Sequence, residues 1–292
     1  MNQPSGLEGV NMRKRLLFLC VGCLMLSQLA AAETLLVAQE DADNRPFEYL
    51  ADDGSLIGFH TDIVRAVGKQ LGWEVRFVRL PWKRVQAMLA SGDVDAVTYM
   101  GKTPERQQYA LFLEDNLLTV QHMALFVRIK DAKRIHYQAP VTAMMQTWRF
   151  GAPADYFLGE ELDDALRSGV SVDRTAKTTT QLLRMLVINR IDVAIGGIRS
   201  LEMSAPEEPA LLRQIVRLED ARFDGSPVYI AFRNQGEGPR QASEFAAAYV
   251  NWRKGNAYRE LVTHYEMWDW MPGDYRERKR AGAGVAPEPA RP

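Results

Sequence analysis

Arg106 is the residue whose type and setting point most directly to chemistry. It follows Thr103, Pro104 and Glu105, which read as a Thr N-cap with Pro at the first position of a helix. The guanidinium then falls in the first helical turn, where its planar fork can clamp a carboxylate and the helix N-terminus adds a favourable dipole. A solvated first-turn arginine is the competing reading. Trp82, between a strand and a helix, offers either a flat ring for stacking on an apolar or cationic group or a core side chain. Asp155 opens another expected helix, as a plain N-cap or as a carboxylate facing a ligand. The four histidines, His60, His122, His136 and His264, lack metal-ligand spacing, so no metal is expected. Gly-x-Ser-x-Gly, His-Glu-x-x-His, Walker and Rossmann patterns are all absent, and no cofactor is expected.

The elements that must position these residues alternate between strand and helix. Residues 34–39 form an apolar strand, and Ile63, Val64, Val67 and Leu71 recur at helical spacing up to Gly72. Val75 and Phe77 alternate as a strand, Val85, Met88 and Leu89 give a helix ending at Gly92, and residues 94–100 read as a buried strand. The C-terminal end of such a strand faces the crevice where α/β sheets bind ligands, which puts the crevice at residues 98–102 and Tyr99 inside it. After a strand over 122–129 the style repeats: strand 148–152, helix 155–167, strand 170–173, helix 181–189 and strand 191–196. Strand 227–232 and helices 241–253 and 258–265 close the pattern. The fold class is therefore α/β in two lobes, each a mixed sheet flanked by helices. Lobe one comprises 33–127, lobe two 128–228, and 229–270 returns to lobe one, so that two crossings form a hinge.

Composition narrows the function classes. Lys and Arg number 36 against 37 Asp and Glu, and this balance without a basic run argues against a nucleic-acid partner. Arg13, Lys14 and Arg15, the apolar run 16–26 and Ala30, Ala31 and Ala32 form a secretory signal over 1–32, cleaved near Ala32, with Met12 an alternative start. Cys20 and Cys23 lie inside it, so the mature chain is expected to have no disulfide; a lipid anchor on Cys23 is the competing reading. Residues 271–292, rich in Arg, Gly, Ala and Pro, are an expected disordered tail.

An ordered set of motifs carries a resemblance. Pro46, Phe47 and Glu48 are followed by Asp53, Gly54, Ser55, Leu56, Ile57, Gly58 and Phe59, then Asp62, Leu80, Pro81 and Trp82. Ser91, Gly92, Asp93, Val94, Asp95 and Ala96 come next, and Thr103, Pro104, Glu105 and Arg106 complete the series. In this order and spacing the sequence resembles the bacterial extracellular solute-binding proteins of family 3, the polar-amino-acid receptors of ABC importers. The resemblance implies a type II periplasmic-binding-protein fold. It also implies that Arg106 grips a ligand α-carboxylate, that Trp82 forms part of the apolar wall, and that Asn44 lines the ligand.

Two positions depart from the family's pattern. The family usually has Ser or Thr five residues before the arginine, where this chain has Gly101, which keeps backbone groups but loses the hydroxyl. In lobe two an aspartate that holds the ligand ammonium usually follows the Arg-x-Asp-Ala strand, and here the run from Arg190 to Ile195 is followed by Gly196 and Gly197. A buried ammonium without an anion is costly, so Asp155 or, as a fainter candidate, Glu202 must replace it, or the ligand lacks an α-amino group or carries its cation elsewhere.

The expected function is a monomeric periplasmic receptor that closes its lobes on a small polar carboxylate, for an ABC permease or a membrane sensor. The alternative is a periplasmic dehydratase of the same fold, cyclohexadienyl dehydratase-like, with Asp155 or Glu202 as general acid.

Overall fold

The computed structural model describes residues 32–198, 209–221, 223 and 226–271. The expected signal up to residue 31, the expected tail beyond residue 271, and Glu202 lie outside the described residues.

The first half of the chain lays down β1 (Thr34–Glu40), a small hairpin of β2 (Tyr49–Leu50) and β3 (Leu56–Ile57), α1 (Phe59–Leu71), β4 (Glu74–Leu80), α2 (Trp82–Ser91) and β5 (Ala96–Gly101). Short strands β6 (Ala110–Leu111) and β7 (Leu117–Gln121) follow. Gly58 must be glycine, because its φ is 132° and a Cβ there would meet the Phe47 carbonyl oxygen at 2.3 Å. The helix it introduces buries Phe59, Ile63, Val64 and Val67 and stops at Gly72, which adopts the left-handed conformation at φ 72°.

The second half contributes β8 (Met123–Arg128), α3 (Val141–Thr147), β9 (Phe150–Gly151), α4 (Glu160–Arg167), β10 (Val172–Asp173), α5 (Thr179–Val187) and β11 (Val193–Gly197). The short α6 (Pro209–Leu212) and β12 (Ile215–Arg217) precede the return strand β13 (Ser226–Arg233), and α7 (Gly238–Trp252) and α8 (Asn256–His264) end the described chain.

These strands form two mixed sheets. One runs β4-β1-β5-β13-β6, with β7 also paired to β13; β1 is parallel to β4 and β5, and β13 is antiparallel to β5. The other runs β10-β9-β11-β8-β12. Each is covered on both faces, as the two-lobed fold requires. Phe59, Phe245, Tyr249 and Tyr258 pack α1, α7 and α8 on one face of the first sheet, while Val85 and Leu89 pack α2 on the other. Met144 and Leu162 bring α3 and α4 to one face of the second sheet, and Leu182 and Leu186 bring α5 to the other. The chain passes between sheets at His122, between β7 and β8, and again between β12 and β13.

Two expected helix starts are corrected. The segment opened by Thr103 is a single 3-10 turn over Arg106–Gln108, in which the Arg106 amide donates to Thr103 Oγ1 at 3.3 Å. One turn has no aligned stack of peptide dipoles, so the helix-terminus contribution expected at Arg106 is absent. Asp155 does not open a helix either. It sits in a turn at φ 59°, and α4 begins only after Gly159, whose φ of 101° is not helical. The Leu158 amide in this turn donates to Asp163 Oδ2 at 2.6 Å, which leaves Asp155 no capping role.

Candidate functional site

The ends of β1 and β5 and the one-turn helix after β5 converge with the turn Asp155–Phe157 from the second half of the chain. Gly101, Trp82, Tyr99 and Arg106 line one cavity, together with Glu40, Glu48, Tyr156 and Phe157. The space left between them is about 40 Å³, on the scale of roughly three waters. Arg106 also borders an open groove of about 460 Å³.

Arg106 is only 7% exposed. Its Nη1 donates to the Gly101 carbonyl at 2.8 Å and its Nη2 to the Asp155 carbonyl at 3.1 Å, and its Cζ stands 5.4 Å from the Trp82 ring centre. Among the described residues no carboxylate lies within ion-pair distance of it. Burial pushes its pKa below the ordinary guanidinium value, yet it remains a cation at neutral pH. A buried guanidinium held only by carbonyl dipoles is a site that favours an anion.

The other sequence-derived residues divide. Tyr99 takes the uncommon φ of 57°, stacks on Phe47 with ring centres 5.1 Å apart, and donates its hydroxyl to Gln121 Oε1 at 3.4 Å. Trp82 starts α2 half-buried, with its Nε1 enclosed and without a hydrogen-bond partner. Asn44 is displaced from the cavity into an adjoining hollow and donates from Nδ2 to Glu40 Oε2 at 3.1 Å. Asp155 turns its carboxylate outward, 3.5 Å from Lys83 Nζ, and presents its carbonyl rather than its acid group to Arg106. Gly101 has a physical reason to be glycine: a Cβ there would meet the Phe157 ring at 2.8 Å and its Cβ at 3.1 Å.

Several residues that matter here were not singled out from the sequence. Glu40, 7% exposed at the end of β1, accepts a short hydrogen bond from the Tyr156 hydroxyl across the crevice. Burial raises its pKa, and the hydrogen bonds from Tyr156 and Asn44 work against that rise. Burial, then the charge of Glu40, holds the Tyr156 hydroxyl well above its usual range. Glu48 is fully buried, and neither of its carboxylate oxygens has a hydrogen-bond partner; His60 Nδ1 lies 3.7 Å from its Oε1. His60 is held toward its neutral form by burial, and its Nε2 lies 3.0 Å from Thr119 Oγ1. Glu40 was detectable as the acid directly after the expected strand 34–39, and the structure makes it the last residue of β1. Tyr156 and Phe157 carried no such signal, because their partners lie 116 residues away at Glu40 and on another strand at Gly101.

Residues 36–217 match the family model of the bacterial extracellular solute-binding proteins, family 3. This chain belongs to that family. Two curated relatives agree with the assignment. An arginine-binding extracellular protein of Bacillus subtilis (strain 168) is 30% identical over 122 residues, 38% of this chain and 47% of the relative. An arginine-binding periplasmic protein of Mannheimia haemolytica is 32% identical over 104 residues, 35% of this chain and 42% of the relative. The matches thus span under half the length of each. Among solved structures, a histidine kinase sensor domain with similarity to periplasmic binding proteins superposes with a TM-score of 0.68 at 20% identity, covering 80% of this chain and 96% of that one. At that identity the likeness establishes the fold. Gly196 and Gly197 end β11 and border the hollow beside Asn44 and Tyr156.

Proposed function

We propose that this protein is a periplasmic receptor that captures a small carboxylate bearing a cationic group, of the kind its arginine-binding relatives are named for, and delivers it to an ABC permease. The single observation that carries this reading is the buried charge pattern of the crevice. One guanidinium without a carboxylate partner, Arg106, faces a cavity that also holds two buried carboxylates, Glu40 and Glu48. A ligand with an anion at one end and a cation at the other completes all three groups, and each charge-assisted hydrogen bond it makes there contributes about 1.5–3 kcal/mol.

Capture in this reading takes two steps. The ligand docks on the first lobe, its carboxylate on Arg106 beside Trp82, its cation toward Glu40 with Tyr99 alongside. The second lobe, swinging at the crossings near His122 and before β13, then brings Tyr156 and Phe157 over it and excludes water. Because the space left in the closed crevice is on the scale of a few waters, the Asp155–Phe157 turn must draw back for entry. The residues assigned to binding are Arg106, Trp82, Tyr99 and Gly101 in the cavity wall, with Asn44 and Asp155 acting through Glu40 and the turn.

The test is a thermal-shift screen of the mature protein against cationic and neutral amino acids and their analogues, with product analysis of the same mixtures. Saturable stabilisation without chemical change supports a receptor. Turnover of any added acid rules the receptor reading out in favour of a dehydratase.

A further inference from the structure

We propose that His60 is a positioning residue for the ligand's cation: its ring, held with the proton on Nδ1, faces the Glu48 carboxylate and fixes it so that one oxygen is kept for the cation. This rests on the receptor reading above and deepens it.

The backbone sets the two side chains beside each other. The Phe59 and His60 amides donate to the Pro46 and Phe47 carbonyls at 2.9 and 3.1 Å, and Glu48 is tied back to Asn44 by backbone hydrogen bonds of 3.0 and 3.1 Å. His60 and Glu48 are both fully buried, and His60 Nδ1 faces Glu48 Oε1 at 3.7 Å, just beyond hydrogen-bond length. Rings enclose the rest of the imidazole, with centres 5.1 Å away at Phe47, 5.5 Å at Tyr99 and 6.1 Å at Phe59. Glu48 is the charged group that acts on it, and burial holds it toward the neutral form. A neutral ring carries one hydrogen, so the nitrogen that holds it decides what Glu48 meets.

Hydrogen bonds running back from the cavity wall select that nitrogen. Tyr99, which lines the cavity, donates to Gln121 Oε1 at 3.4 Å, and Gln121, which also lines it, donates from Nε2 to Thr119 Oγ1 at 3.2 Å. Thr119 is fully buried, and its hydroxyl hydrogen finds an acceptor in His60 Nε2 at 3.0 Å. The imidazole hydrogen is then on Nδ1, toward Glu48. The opposite tautomer would turn the Nδ1 lone pair on a buried carboxylate oxygen with no hydrogen between them. Glu48 Oε2 has no partner of its own. A carboxylate with one oxygen steered by an N–H and the other unmet offers an ammonium or guanidinium a fixed acceptor, in the same cavity that Arg106 lines.

Two substitutions separate this role from packing, because an asparagine amide nitrogen falls near the place of Nδ1 and a glutamine amide nitrogen near that of Nε2. In calorimetric titration of the mature protein with arginine and with lysine, His60→Asn is expected to bind within about threefold of wild type, and His60→Gln roughly tenfold or more weakly. A His60→Asn protein that binds no better than His60→Gln overturns the inference and leaves the receptor reading standing. No binding of either amino acid by the wild type overturns the receptor reading for cationic amino acids, and the role of Glu48 with it. The wild type also gives a reading that needs no variant to fold. Long-range proton–nitrogen spectra at neutral pH are expected to show His60 with a protonated Nδ1 and a bare Nε2; the reverse pattern, or a doubly protonated ring, overturns the inference.

Discussion

Arg106 and Arg128 are both buried, at 7% and 3% exposure, and the difference in how they are held separates the crevice from the base of the second lobe. Arg128 donates to Asp131 at 2.5 Å, to Asp192 at 3.1 Å, and to the carbonyls of Leu186 and Ile191 at 2.6 and 2.7 Å. Asp192 is gripped in turn by Arg149 at 2.8 and 2.9 Å. This cluster closes on itself, and its work is to tie β8 to α5 and β9. Arg106 receives only two carbonyls, while the acids of its cavity, Glu40 and Glu48, bond to a phenol and an amide or to nothing. The same residue type at the same depth is paired where the protein supplies the counter-ions and, in the proposed receptor, left open to a ligand where it withholds them.

The sharpest way to break this contrast is to remove each arginine. Arg128→Ala leaves Asp131 and Asp192 without their buried partner and is expected to cost about 3–5 kcal/mol in urea unfolding. Arg106→Ala is expected to change the unliganded protein by no more than about 1 kcal/mol, because a poorly compensated charge leaves with the side chain. Equal destabilisation by the two substitutions would remove the distinction.

Acid titration sharpens it further. Asp192 is depressed to about 2, chiefly by its hydrogen bonds from Arg149 and then those from Arg128. A depressed carboxylate contributes its stability above its unfolded value and loses it as pH falls through the folded one. Asp192→Asn should therefore cost about 2 kcal/mol at neutral pH and lack the wild-type loss of stability between about pH 4 and pH 2. Glu40 has the opposite sign. Burial raises its folded pKa, so its favourable contribution is present below the ordinary Glu value and is lost as pH rises through the raised one. Glu40→Gln is thus expected to leave the ligand-free protein at least as stable as wild type at pH 7, with the gap closing toward about pH 4, while cationic ligands bind about tenfold more weakly. The smallest effect belongs to Lys83→Ala. It removes an ion pair with Asp155 at 3.5 Å between exposed side chains, and should shift unfolding by no more than about 0.5 kcal/mol.

Much of the first lobe was legible in the sequence because its signals are local. Ile63, Val64 and Val67 at helical spacing, stopped by Gly72, give α1, and the apolar run from Thr34 gives β1. Arg106 was also legible, although for a partly wrong reason, since the helix expected to support it is one 3-10 turn. The rest of the site depends on contacts far apart in the chain. Gly101 reads in the sequence as a missing hydroxyl, and only the position of the Phe157 ring explains why nothing larger fits. Asp155 has the composition of an N-cap, but Gly159 moves the helix start beyond it. β7 and β12 went unread because strands of five and three residues carry too little alternation to stand out.

The most direct measurement is calorimetric titration of the wild type and of Arg106→Ala with arginine and with argininamide, in which a neutral carboxamide replaces the carboxylate. The account predicts that the wild type binds the acid and discriminates strongly against the amide, and that the variant loses at least a hundredfold for the acid. An Arg106→Ala protein that binds the acid with wild-type affinity would contradict it.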